Sequence, residues 1–298
     1  MQLLEQEILL TFCYCAQFSF PLTKNEVFLR RISLNGKVHS RHSVFSAIET
    51  LVTAGYLYQS GQFLQLSTEQ ESFSSRAKKA SSSVEKYKEL RPLLLLARYI
   101  PAIAGIAITG SAAMKNASED DDIDIMIVTE KNRLWLVRPL VIFFAFLYGK
   151  RRTWQKEEKN SWCFNLWLER DSLGQEPSTY SLYVAYEVCQ TDWLLSRGAC
   201  MQQFFTTNSW VRHYLPEYYR AVLEKKPYVT AALAWYVPFL SEFLSFLNYM
   251  FYSLQLLYMS SHMTRERVSL SFAFFHPRDT RTMISNNIRD IVYKLRRI

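Results

Sequence analysis

Glycine and proline are scarce in this chain, 8 and 9 among 298 residues. Flexible and extended linkers draw heavily on both, so the shortage argues against long disordered connections. Cysteine is scarce too. Cys13, Cys15, Cys163, Cys189 and Cys200 form an odd set with no C-x-x-C pair. That speaks against a disulfide framework and fits reduced, mostly buried thiols in a cytoplasmic protein. Cys13 and Cys15 lie two apart in a helical pattern, where side chains diverge, so a zinc pair is not expected there. Met1 to Glu7 carries acid where a secretory signal carries base, so no signal is expected. There is no G-x-x-x-x-G-K loop, which leaves a P-loop ATPase unsupported, and no internal repeat.

Long apolar runs are broken. The segment Ala231 to Met259 carries Pro238 and Glu242, and Ser241, Ser245, Asn248, Tyr252 and Gln255 recur every three to four residues. One polar stripe on a helix predicts a buried amphipathic helix and no membrane span. Val137 to Tyr148 is shorter than the roughly 20 residues a span needs.

What is present is a large apolar fraction, 49% hydrophobic with 15% aromatic. It allows a substantial core and about two domains. The net charge of +8 and isoelectric point near 9.2 suggest an anionic partner: a nucleotide, a nucleic acid or an acidic surface.

Residues 1–68 read as a winged helix-turn-helix. Leu3 to Phe18 has helical spacing, Thr23 caps a second helix with Glu26 as its capping-box partner, and Ser40 or Ser43 caps a third that stops at Gly55. A hairpin turns at Ser60-Gly61. Arg41 and His42 open the third helix, where a recognition helix would meet DNA; such units also dock against their own chain. Residues 69–100 predict a connecting helix, ended or broken by Pro92, whose run of Lys and Arg reads as a solvated face. Residues 101–180 predict strand Ile103 to Thr109, a short helix from Gly110, strand Asp122 to Val128, helix Leu134 to Tyr148 and strand Trp162 to Glu169. Residues 181–298 predict helices at Tyr180 to Leu195, Trp210 to Lys225, Ala231 to Met259, and Arg278 to the end.

The most informative stretch is Ile106-Ala-Ile-Thr-Gly-Ser111, followed by Asp122-Ile-Asp-Ile-Met-Ile-Val128. Alternation predicts a half-buried strand with Asp122 and Asp124 on one face. Adjacent carboxylates repel unless a cation sits between them, and Mg²⁺ is typically held by one or two carboxylates plus substrate phosphates. Gly110 lets the backbone approach a phosphate, and Ser111 offers a hydroxyl and an N–H. A plainer alternative makes 120–122 a solvated acidic turn and Asp124 a strand-edge charge, which leaves Asp124 unexplained between Ile123 and Ile125. His262 and His276 read as packed residues more than catalysts.

Gly110-Ser111, the short helix and Asp122-Ile-Asp124 resemble the signature of the nucleotidyltransferase superfamily that includes DNA polymerase beta. Ile-Thr-Gly-Ser-Ala-Ala-Met, Leu-Trp-Leu-Val-Arg138, Tyr183-Val-Ala-Tyr-Glu187 and Phe274-Phe-His-Pro277 are similar to a bacterial branch of it. That branch has an N-terminal winged helix and a helical C-terminal region. The resemblance implies an α+β fold: a winged helix, a central small mixed β-sheet nucleotidyltransferase core with helices, and an α-helical C-terminal region. It implies Mg²⁺ or Mn²⁺ and a nucleoside triphosphate (NTP), whose NMP passes to an unidentified acceptor: nucleic acid, protein or small molecule. Asp122 and Asp124 would be the catalytic metal ligands, and Gly110 and Ser111 would hold phosphates, with Lys115 or Arg138 adding charge. This sequence departs from the pattern of active members at the usual third carboxylate, where Asn165 stands and could ligate metal only weakly. Glu169, on the same face at period two, and Glu187 are candidate substitutes. The alternative function is a catalytically weakened, nucleotide-sensing regulator that binds DNA through the winged helix.

Overall fold

The computed structural model describes residues 1–68, 73–151, 160–231, 238–260 and 266–275, with 283, 284 and 287. His262, His276, residues 232–237 and almost all of the helix expected from Arg278 onward lie outside the described residues.

The N-terminal part contains α1 (Leu3–Ala16), β1 (Leu22–Thr23), α2 (Lys24–Arg30), α3 (Arg41–Thr53), β2 (Leu57–Ser60) and β3 (Phe63–Leu66). Its helix ends are set by local chemistry. Thr23 Oγ1 accepts from Glu26 N at 3.2 Å while Glu26 accepts from Thr23 N at 2.9 Å, a reciprocal capping box. Ser40 Oγ accepts from Ser43 N at 3.1 Å at the start of α3. Gly55, at φ +81°, ends α3, with Tyr56 N bonding Leu51 O and Gly55 N bonding Val52 O, a Schellman closure. β1 joins the β2–β3 hairpin in an antiparallel sheet of order β1-β3-β2.

The connecting region is two helices, α4 (Phe73–Glu89) and α5 (Arg91–Tyr99). Pro92 is the second residue of α5, where a missing N–H costs nothing. The charged face of α4 is not wholly solvated as expected. Arg76 and Lys86 are buried, because backbone carbonyls and a carboxylate of neighbouring segments satisfy them. Arg76 donates to Glu26 at 2.7 Å and to Lys115 O at 3.0 Å. Lys86 Nζ donates to Asp121 O at 2.6 Å, to Glu119 O at 3.1 Å and to Asn160 Oδ1 at 2.7 Å.

The remaining elements are β4 (Ile103–Ile108), α6 (Gly110–Ala113), β5 (Ile123–Thr129), α7 (Leu134–Leu147), β6 (Trp162–Glu169), α8 (Leu182–Gln190), β7 (Asp192–Arg197), α9 (Cys200–Thr207), α10 (Pro216–Leu223), β8 (Val229–Ala231), α11 (Pro238–Ser260), β9 (Arg267–Val268) and β10 (Phe272–Phe274). They build a mixed sheet of order β8-β7-β4-β5-β6-β10-β9. β5–β6 and β7–β8 are parallel and the other pairs antiparallel. The C-terminal region is therefore not purely helical, since it supplies four of the sheet's strands. β7 replaces the end of the helix expected over Tyr180 to Leu195. Its residues 193–197 are buried on both faces, so they lack the alternation that would mark a strand, and a short apolar run is ambiguous by periodicity.

The sheet is covered on both faces. Met126, Val128, Leu168 and Trp193 pack in one core with Ile8, Phe12, Val44 and Leu64 of the N-terminal part and with α8, α9 and α10. Ile125, Ile127, Trp167 and Leu195 pack on the other side with α5 and α7. The N-terminal part thus shares a core with the sheet. Tyr14 stacks on Tyr186 with ring centroids 4.0 Å apart, Tyr186 Oη donates to Arg30 O at 2.6 Å, and the buried Arg31 pairs with Glu7 of α1 and Glu217 of α10.

Helix α11 carries its polar stripe inward. Asn248 Oδ1 accepts from Trp135 N at 2.8 Å and Leu136 N at 3.3 Å, and Ser241 Oγ and Ser245 Oγ accept from Arg133 at 2.9 and 3.1 Å. Asn248 satisfies two N–H groups in the otherwise unpaired first turn of α7, and the two serines hold the side chain of Arg133, the residue that precedes it. The outward face of α11 is apolar, so the expectation of a helix buried by its apolar side is reversed. Among the described residues no helix is long and apolar enough to cross a membrane.

Candidate functional site

The Gly110-Ser111 turn and the acidic end of β5 meet at the mouth of the sheet. Thr109 N donates to Asp124 O at 3.0 Å, which draws the end of β4 against the start of β5. Gly110 then turns the chain at φ +63°, and a Cβ there would overlap Oδ2 of Asp124. The glycine is required twice, by its left-handed backbone and by the carboxylate lying on its Cα.

Three more side chains fix the acids. Asn165 Nδ2 donates to Asp124 Oδ1 at 2.7 Å. Ser161 Oγ, buried, donates to Asp122 Oδ1 at 2.8 Å. Ser111 Oγ donates at 3.3 Å to Asp121 Oδ2, which also accepts from Ser118 N at 2.9 Å. Ser111 is thus tied to Asp121. The loop carrying Asp121 is held from below by Lys86. Asp122 and Asp124 are both half-buried, so solvent reaches them.

Of the two substitute carboxylates, the structure brings in one. Glu187 on α8 has its pKa pushed up to about 8, first by burial and second by the negative charge of Asp124; a hydrogen bond from Gln190 opposes the rise. Glu169 is elsewhere. Asp124 lies opposite Cys163 and Met126 opposite Leu166, so β6 spends one extra residue in a bulge. Asn165 and Leu166 both fall on the Asp124 side, and the alternation is inverted beyond them. Glu169 joins the opposite face, where it accepts from Arg133 N at 3.1 Å and Leu134 N at 3.3 Å and caps α7. Burial raises its pKa against those backbone bonds. The bulge takes Glu169 off the face that strict period two would give it.

Lys115 is exposed beside this turn at φ +56°, its carbonyl held by Arg76. Arg138 does not reach the acids. It sits on α7, on the other face of the sheet, stacked over Phe275 at 4.8 Å and bonded to Gln255 at 2.7 Å. Arg41 and His42 are exposed at the start of α3, Arg41 donating to Asn25 Oδ1 at 3.2 Å.

Sequence reasoning missed Lys86, Asp121, Ser161 and Lys225. Lys86 had a signal: Arg76, Ser83, Lys86 and Leu90 recur on one helical stripe, and all four are buried. Lys225, after α10, has its pKa lowered mainly by burial, with Lys115 among the cations that add to the effect. Nothing local in the sequence ties it to the site.

Asp122, Asp124 and the amide of Asn165 carry oxygen donors of the kind hard cations take. Asn165 Oδ1 is buried and has no hydrogen-bond partner among the described residues, so a cation would satisfy an otherwise orphaned oxygen. Among the described residues no group of three or more His, Cys, Asp or Glu side chains is arranged to hold a metal ion. The set present is two carboxylates and an amide. No family model, curated protein or solved structure matches this chain.

Proposed function

We propose that the chain is a Mg²⁺-dependent nucleotidyltransferase, moving NMP from an NTP to an acceptor hydroxyl or similar group and releasing pyrophosphate. The observation that carries the reading is the Asp124 carboxylate lying on the Cα of Gly110 and bonded to Asn165. It brings together the turn that this reading assigns to phosphate and the acid that it assigns to the cation. In this reading the triphosphate lies along Gly110-Ser111, where backbone N–H groups face it, and Lys115 adds positive charge from the rim. Mg²⁺, held by Asp122 and Asp124 with Asn165, would neutralise charge on the transferring phosphate. Asn165 can offer its oxygen but cannot take a proton. Glu187 can. Its proton affinity is raised first by burial and second by Asp124, so a cation on Asp124 would remove the second cause and lower that affinity.

The test is to incubate the protein with each α-labelled NTP, Mg²⁺ or Mn²⁺ and a cell extract, and to follow label entering any fraction. Wild type labels a defined acceptor, whereas Asp122→Ala and Asp124→Ala, folded by circular dichroism, do not. Label transfer that survives both substitutions removes the reading.

A second reading is favoured by the position of Tyr186. It neighbours Glu187 and stacks on Tyr14 of α1, joining the acidic site to the N-terminal part. There the chain is a nucleotide sensor with weakened catalysis. The N-terminal part is a winged helix that meets DNA through Arg41 and His42. NTP binding without turnover, with salt-dependent DNA binding weakened by Arg41→Ala, distinguishes it from the first.

A further inference from the structure

Helix α11 turns an apolar side to solvent. From Phe243 to Ser260 it contains no charged residue. Eight large apolar side chains on it are exposed, with Phe246 at 61% and Leu257 at 75%. Its polar side chains Ser241, Ser245, Asn248 and Gln255 are spent on α7. The arrangement opposes the usual amphipathic one, in which the polar stripe faces water. The outer half of α7 adds Leu140, Phe143, Phe146 and Leu147 as exposed apolar groups.

Five of the eight groups are aromatic, and aromatic side chains bury about 150–250 Å² each; with the two Leu and one Met counted at a similar size, the roughly half-exposed set presents on the order of 800 Å². A monomer's largest apolar patch is about 300–600 Å². A stable dimer interface takes about 800 Å² from each partner, and homodimer interfaces are the more apolar kind. Phe243, Phe246, Met250, Leu254 and Leu257 recur at the three-and-four spacing of a helix-packing seam. Helices that lie in a lipid surface are rich in Lys and Arg, and this stretch has neither.

We infer that the outer face of α11 packs against the same face of a second copy of this chain, forming an isologous homodimer. The inference stands apart from the chemistry of the acidic site. It is tested on the full chain by sedimentation and light scattering between about 1 and 50 μM, where the closed two-fold contact predicts twice the 35.1 kDa chain mass. Phe246→Glu with Leu257→Glu gives a folded monomer. Should that variant fail to fold, hydroxyl-radical footprinting of the wild type reads the same face, with Tyr249 and Tyr258 protected at the high concentration and reactive at the low one. A wild type that remains monomeric with both tyrosines reactive at 50 μM overturns the inference. So does a monomer that pellets with phosphatidylcholine vesicles, which would assign the face to lipid.

Discussion

At Gly110 the backbone is left-handed and the space for a Cβ is filled by the Asp124 carboxylate. The residues carrying the site were legible because their constraints are local: a glycine before a short helix, and acids alternating with isoleucine on the next strand. The candidates for a third carboxylate were less legible. Period-two counting gave Glu169 the same standing as Glu187, and one extra residue in β6 sends Glu169 to the far face. Glu187 carries a pH prediction. Its folded pKa of about 8 lies above the roughly 4.3 of an exposed Glu, so between those values the folded state binds more protons than the unfolded state. Stability from this group is full below about 4.3 and is lost as pH rises through about 8. In EDTA, the melting temperature of the wild type falls between pH 5 and 8.5 more than that of Glu187→Gln. Parallel curves for the two proteins would show that Glu187 ionises normally.

Among the elements, those with their own end signals were readable. Thr23 with Glu26, Ser40 and Gly55 set α2 and α3 through bonds within a few residues of each other. Elements defined by distant partners were not. β7 is a strand because β4 and β8 lie on either side of it. Lys86 is buried because carbonyls from the loop before β5 come to it. The polar stripe on α11 was visible, but its direction depends on the first turn of α7, which no local pattern reveals. The Glu7–Arg31–Glu217 group is another such long-range feature, joining α1, the segment after α2, and α10. Arg31→Ala would leave two buried carboxylates without their cation, at a cost of about 3–5 kcal/mol. Urea unfolding measures this directly, and a loss below about 1 kcal/mol would show that the acids find other partners or water.

In the whole molecule, the N-terminal part, the sheet and α8–α10 share one core, and Tyr186 and Glu187 sit where that core meets the acidic site. A ligand at Asp122 and Asp124 therefore stabilises the N-terminal part as well as the sheet, and the chain should unfold in one step that shifts as a unit. The proposed nucleotide site is tested most directly by thermal unfolding with Mg²⁺ and each of the four NTPs. For wild type at about 100 times the dissociation constant, at least one NTP with Mg²⁺ moves the transition by the equivalent of about 2.7 kcal/mol. Asp124→Ala loses the shift. No shift with any NTP in the wild type, or an undiminished shift in Asp124→Ala, would contradict the assignment of Gly110, Asp122 and Asp124 to a nucleotide and its metal.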